Sequence, residues 1–290
     1  MYKIAILGCE NTHANSFLGL IQNDERFSDV EVIGVYTDEP EAAKNVKEKF
    51  GVDCADSYDA FVGKVDGIVI TARHGANHYK YAKPYIASGI PMYIDKPFTC
   101  DDGEALNFAR ELKAAGCRIT GGSMVIHAHY VKSLRESIKS GSYGKVYGGF
   151  FRTPVHLESQ YGGYFFYGQH LGQMVQEIFG YYPKSVTAHR IDKVVNVTIK
   201  YDDFDVCGQY VDGNYNYYAS ISCEKGVVGQ VFPLTSDLSA VEFMSFYKLL
   251  KGGEMETCYR DLIAPVNLIT AIDRAIKSGK EEAVAPVGEV

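Results

Sequence analysis

A chain of 290 residues, 46% hydrophobic and 22% charged, has the apolar content for a substantial core and the length for two domains. A net charge of −7 without a dense lysine or arginine tract excludes a nucleic-acid backbone as partner, because that surface demands clustered positive charge. The opening apolar run is too short for a signal peptide, and Ser159 to Gln176, free of Asp, Glu, Lys and Arg, holds four glutamines, a histidine and several glycines, a poor membrane span. The 7 cysteines are scattered and lack a CxxC pair, which fits free thiols in a reducing cytoplasm better than disulfides or a zinc cage.

In chain order, Lys3 to Leu7 is a short buried strand ended by Gly8, followed by a helix with Phe17, Leu18, Leu20 and Ile21 at helical spacing. Val30 to Tyr36 is a second strand and Pro40 to Phe50 a helix with proline in its first turn. A short third strand is expected within Gly51 to Ser57 and a short helix over Tyr58 to Gly63. Gly67 to Thr71, Ile90 to Ile94 and Arg118 to Gly121 are further strands, separated by helices over Asn77 to Ser88 and Asp101 to Ala115. Strands alternating with helices predict a Rossmann-like, doubly wound parallel sheet over residues 1–121.

Residues 122–290 are expected to form an α+β substrate-binding and oligomerisation domain. His127 to Lys139 is a helix and Tyr147 to Val155 a strand, followed by an aromatic loop over Tyr161 to Tyr167. On a helix over Gly168 to Phe179, Leu171, Met174, Val175 and Ile178 form the core stripe, while His170, Gln173 and Glu177 share a polar face. Six strand candidates follow, over Ser185 to His189, Val194 to Tyr201, Asp205 to Val211, Tyr215 to Cys223, Gly226 to Leu234 and Val241 to Leu250, reading as a largely antiparallel sheet. A strand near Glu254 to Cys258 precedes a helix over Tyr259 to Ser278, and the tail after Gly279 is expected to be loose.

In an open parallel sheet, ligands bind at the carboxyl ends of the strands. Lys96 lies at such an end, beside Pro97, where a lysine with a lowered pKa serves as a proton donor or acceptor. The first strand–helix turn normally carries G-x-G-x-x-G; here Gly8-Cys9-Glu10-Asn11-Thr12-His13 keeps only the first glycine. It is either an altered turn, with Asn11 and Thr12 near a ligand, or a plain connection. Asp38 is a candidate for adenine-ribose hydroxyls or an N-cap before Pro40. Thr71, Arg73 and His74 leave a strand at the ligand edge, where Arg73 either offsets Glu10, binds phosphate or is ordinary loop polarity. His127 and His129 are two apart and do not face one way on a helix, so no metal is expected.

The order and spacing of five segments resemble the Gfo/Idh/MocA family of nicotinamide-dependent sugar and cyclitol oxidoreductases. They are the opening strand with Gly8, Thr37 to Ala43, Asp66 to Thr71 followed by His78, Asp95-Lys96-Pro97, and Gly162-Gly163 with Gly168-x-His170. The resemblance implies NAD or NADP as cofactor, Lys96 as base with His170 holding or relaying the proton, and Thr37, Asp38 and Asp95 beside the cofactor. Against the family pattern, Asp95 shortens the usual glutamate, Phe166 replaces an aspartate before the histidine and Gln173 an acid after it. His127, Tyr161, Tyr167 and Gln173 are the substrate candidates; tyrosines stack on sugar rings, though these equally suit a hinge core.

The expected function is hydride transfer between a nicotinamide cofactor and a sugar, cyclitol or related polyol by a homo-oligomer, dimer or tetramer. Two alternatives stand beside it: a non-catalytic ligand-binding or regulatory protein on the same scaffold, and a lyase, hydrolase or epimerase that retains NAD.

Overall fold

Five apolar runs pair as parallel strands: β1 (Tyr2–Leu7), β2 (Val30–Tyr36), β3 (Gly67–Ile70), β4 (Met92–Asp95) and β5 (Ile119–Gly122), in the order β2-β1-β3-β4-β5. The computed structural model describes residues 1–290. β3 and β4 are buried at every position, as strands covered on both faces require. Four helices make the crossovers: α1 (Thr12–Asn23), α2 (Pro40–Phe50), α3 (Ala76–Ile86) and α4 (Asp102–Ala114). The strand and helix expected between Gly51 and Gly63 do not form. Val35 and Cys54 make one isolated bridge, and turns follow. This stretch has no apolar run to bury on two faces, so pairing stops there and Phe61 folds in against Gly34.

A 3₁₀ turn over Met124–His127 shortens the next helix, α5, to His129–Lys139. β6 (Val146–Val155) leads to α6 (Phe165–Phe179), which starts three residues before Gly168 and carries Phe166 and Tyr167 in its first turn. β7 (Ser185–Ile191), β8 (Val194–Lys200), β9 (Asp205–Asp212), β10 (Tyr217–Cys223) and β11 (Gly226–Phe232) follow. With β12 (Glu282–Ala283) they make a seven-stranded sheet, β11-β10-β6-β9-β8-β7-β12, in which β6 and β9 are parallel and all other pairs antiparallel. The tail after Gly279 is therefore docked: β12 pairs with β7, and Arg110 Nε donates to the Glu289 carbonyl.

The segment read as a strand over Val241 to Leu250 is helical, within α7 (Leu238–Leu250). Leu238, Glu242, Phe243, Phe246, Leu249 and Leu250 are buried at helical spacing. α7 packs Phe243, Phe246 and Leu250 against Ile4, Ile6, Val69 and Tyr93 of the first sheet. Nor does a strand form at Glu254 to Cys258; the chain passes directly into α8 (Tyr259–Ser278). The first turns of α8 place Leu262, Ile263 and Val266 in the first-sheet core with Ala5 and Leu7, and its later turns place Leu268, Ile269 and Ile272 under the second sheet. The second half thus completes the core of the first. No helix is long and apolar enough to cross a membrane.

Candidate active site

β4 ends in Asp95, and Lys96 follows at the carboxyl edge with only 5% of its surface exposed. Lys96 Nζ donates to the Phe166 carbonyl at 2.9 Å and stands 4.8 and 4.9 Å from the centres of the Phe166 and Tyr167 rings. Burial lowers the lysine pKa, while Asp95 and Glu242 pull it back. Phe166, where the family pattern has an acid, therefore supplies a carbonyl and an aromatic face to the ammonium.

Asp95 is fully buried and accepts from Asn11 Nδ2 at 3.0 Å and from the Lys96 amide at 2.7 Å. His13 Nδ1 lies 3.0 Å from Oδ2, the oxygen that also takes Asn11. Burial opposes both charges, yet each sustains the other: His13 is raised to about 9 by Asp95 and Glu242, and Asp95 is lowered to about 2 by His13 and Lys96. Glu242 of α7 accepts from Tyr93 Oη at 3.2 Å, and burial raises its pKa to about 7. His13 occupies the third glycine position of the turn, where a histidine ring reaches the end of β4.

His170 Nδ1 is hydrogen bonded to Ser123 Oγ at 2.7 Å, and burial holds the imidazole neutral by lowering its pKa well below the usual value. Tyr167 brings the two candidate catalytic groups together, its ring 5.0 Å from that of His170 and 4.9 Å from Lys96 Nζ. Gln173 Oε1 accepts from the Ser123 amide and from Gln169 Nε2, both at 2.8 Å. Its oxygen thus braces the strand end that carries Ser123. Fully buried His78 reaches the carbonyls of Pro97 at 2.7 Å and Ala72 at 2.8 Å, pinning the lysine turn to the loop after β3.

The nucleotide side is tightly built. Gly8 has φ +93°, and a Cβ there would stand 2.1 Å from the Ala72 nitrogen, so the turns after β1 and β3 touch. Thr71 Oγ1 donates to the Gly8 carbonyl at 3.0 Å across that contact. Glu10 accepts from Thr37 Oγ1 at 2.8 Å and from the Arg73 amide at 2.9 Å. The Arg73 guanidinium donates to Tyr161 Oη at 3.0 Å, and Tyr161 donates to Glu39 at 2.9 Å. Arg73 offsets Glu10 through its backbone, its side chain being engaged with Tyr161.

Some expected residues lie elsewhere. Asp38 does not cap α2; it is exposed after β2 and accepts from Tyr36 Oη at 2.6 Å and Tyr81 Oη at 3.0 Å in a tyrosine cluster. Thr12 is an exposed first residue of α1, while Asn11 is the N-cap, accepting from the His13 amide. His74 Nδ1 accepts from the Ala76 amide, with its ring against Gly162. His127 lines a separate cavity of about 610 Å³ with Lys132, Arg135, Glu177 and Glu256. The sequence reading missed His13, Ser123 and Glu242. For Glu242 there was a signal, a lone carboxylate inside an apolar run; for Ser123 there was none beyond its place after a strand.

Residues 2–123 match the GFO_IDH_MocA model, described as an oxidoreductase family with an NAD-binding Rossmann fold. Over this region the chain is similar to that oxidoreductase family. The whole chain is similar to scyllo-inositol dehydrogenase from Lactobacillus casei, solved with NAD(H) and scyllo-inositol: TM-score 0.84, 13% identity, covering 98% of this chain and 99% of that one. It is also similar to the WlbA dehydrogenase from Chromobacterium violaceum, solved with NADH and UDP-GlcNAcA, at TM-score 0.81 and 15% identity over 99% and 97% of the two chains. An oxidoreductase from Agrobacterium radiobacter, solved with NAD⁺, L-tartaric acid and magnesium, aligns at TM-score 0.77 and 15% identity over 98% of each chain. At such identities the likeness is one of fold. No curated protein sequence matches the chain.

Proposed function

We propose that this protein is an NAD(P)-dependent oxidoreductase of a sugar, cyclitol or related polyol. The observation that carries the reading is the buried Lys96 ammonium and neutral His170 imidazole, both against Tyr167 at the carboxyl edge of a Rossmann sheet. The family match over residues 2–123 and the ligands of the structural relatives support it.

The donor set fits a nicotinamide dinucleotide with one exception. The twelve-residue helix α1 begins at the β1 edge, and a helix N-terminus with its cap favours a diphosphate. Thr37 beside β2 would hold the adenosine end and Asn11 and Lys96 the nicotinamide end, while fully buried Thr71, its hydroxyl on the Gly8 carbonyl, shapes the turn between them. Glu10, standing on the second glycine position, is the misfit. When bound, the cofactor supplies a hydride acceptor or donor.

The chain's own residues handle the proton. Burial lowers the proton affinity of Lys96 Nζ, which suits it to exchange a proton with a substrate hydroxyl. Ser123 engages His170 Nδ1 and leaves Nε2 as the nitrogen that orients or relays to that hydroxyl. Asp95 keeps negative charge beside the lysine and is itself held by Asn11 and His13. The Phe166 and Tyr167 rings cover the Lys96 ammonium, and Tyr161 packs on Phe166.

The test is formation of reduced cofactor across a panel of inositols, aldoses and uronic acids with NAD⁺ or NADP⁺. On a positive substrate, Lys96→Met should lower kcat by about 10²–10⁴-fold with little change in cofactor affinity. Full turnover in that variant removes the lysine from the chemistry, and no reduction across the panel defeats the reading. The protein is further proposed to act in the cytoplasm, and to associate with a second copy through the open face of the seven-stranded sheet, where Phe150, Val227 and Val231 are exposed.

A further inference from the structure

Glu10 takes up hydrogen-bond donors at the crevice where the three strand-end turns meet. The close approach of Gly8 to Ala72 brings the turn after β1 against the loop after β3, so a side chain two residues on reaches the Arg73 amide. Its other carboxylate oxygen takes the Thr37 hydroxyl at the end of β2. A carboxylate thus spans the ends of β1, β2 and β3, beside the N-terminus of α1. Glu39 reinforces the negative charge on that side, and the Arg73 guanidinium is engaged by Tyr161, which in turn donates to Glu39. Both carboxylates lie close enough to buried Cys9 to add to the effect of burial, which raises its thiol to about 12.

We infer that Glu10 is an internal stand-in for the anion of the cofactor, a residue that sets dinucleotide affinity by taking donors a diphosphate would use and by repelling its charge. The inference rests on the dinucleotide reading above. A bound diphosphate must displace the carboxylate from Thr37 and Arg73 or tolerate it at close range, and either lowers affinity. Adenosine carries no charge, so its only conflict with Glu10 is over the Thr37 hydroxyl.

The experiment is isothermal titration calorimetry of wild type, Glu10→Gly and Glu10→Gln with NAD⁺, ADP and adenosine, each variant first checked for a cooperative melt. Glu10→Gly should bind NAD⁺ and ADP about tenfold more tightly than wild type, with adenosine, which gains only the freed Thr37 hydroxyl, tightening by no more than about threefold. Glu10→Gln keeps the shape and an acceptor oxygen but drops the charge, so it should fall between the two; it carries the test alone if the glycine variant does not fold. Wild-type binding of NAD⁺ with no tightening in either variant overturns the inference and leaves the dinucleotide reading standing. So does an equal gain for adenosine, which would make Glu10 a steric plug. Absence of NAD⁺ and NADP⁺ binding in all three proteins at millimolar ligand removes the dinucleotide reading itself, and this inference with it.

Discussion

At the scale of single residues, the site depends on charges that burial alone would extinguish. His13 and Asp95 remain ionised because each is the other's partner, with Asn11 and the Lys96 amide as further donors to the carboxylate. Removing one partner from such a pair leaves a buried charge uncompensated, at a cost of roughly 3 kcal/mol. The sign with pH follows from the shifts. His13, at about 9 in the folded protein, is above the ordinary histidine value, so its contribution is complete below about pH 6.5 and lost as pH rises through 9. Asp95, at about 2, contributes above about pH 4 and loses that as pH falls through 2. The His13→Ala protein should therefore be less stable than wild type by about 3 kcal/mol near pH 6, and the gap should shrink by pH 10. Urea unfolding at the two pH values measures this; a gap independent of pH would dissociate the ion pair from stability.

At the scale of elements, α7 is the piece whose identity matters most. As a strand it would have extended the second sheet; as a helix it covers the first and delivers Glu242 to Tyr93 beneath the lysine turn. Its buried aromatics form edge-to-face and tilted contacts, Phe243 with Phe27 at 4.9 Å and with Phe17 at 5.3 Å. Phe246 is fully buried in that cluster, so Phe246→Ala should cost about 3–5 kcal/mol, read as a fall in the chemical denaturation midpoint. A cost below about 1 kcal/mol would mean that α7 is loosely held. The same change in a solvent-facing helix would be nearly silent.

At the scale of the molecule, the two sheets are coupled by helices that belong by sequence to the second half and by packing to the first. α8 contributes to both cores, and Tyr161 ties the loop before α6 to Glu39 and Arg73 across the crevice. The opposite face of the large sheet is left open, with Val227 73% and Val231 61% exposed beside Phe150. An exposed apolar strip on a long sheet is satisfied by a second copy, which the proposed assembly supplies. Sedimentation velocity should find an oligomer in wild type and a shift toward monomer in a Val231→Glu, Phe150→Lys double variant. A monomer in wild type at micromolar concentration would remove that proposal.

The sequence by itself determined the parallel sheet, its crossover helices and the place of Lys96 at a strand end. Those features are written locally, in short apolar runs, glycine stops and acidic first turns. It also placed His170 off the apolar stripe of α6, because helical spacing separates the two faces. Packing settles that α7 is a helix, since a run with seven apolar residues in ten suits a buried strand as readily as a buried helix. The same holds for the parallel pairing of β6 with β9, the reach of His13 to Asp95 over 82 positions, and the hold of Glu10 on Thr37 and Arg73. Each joins residues far apart in the chain, and no local pattern records the distance between them.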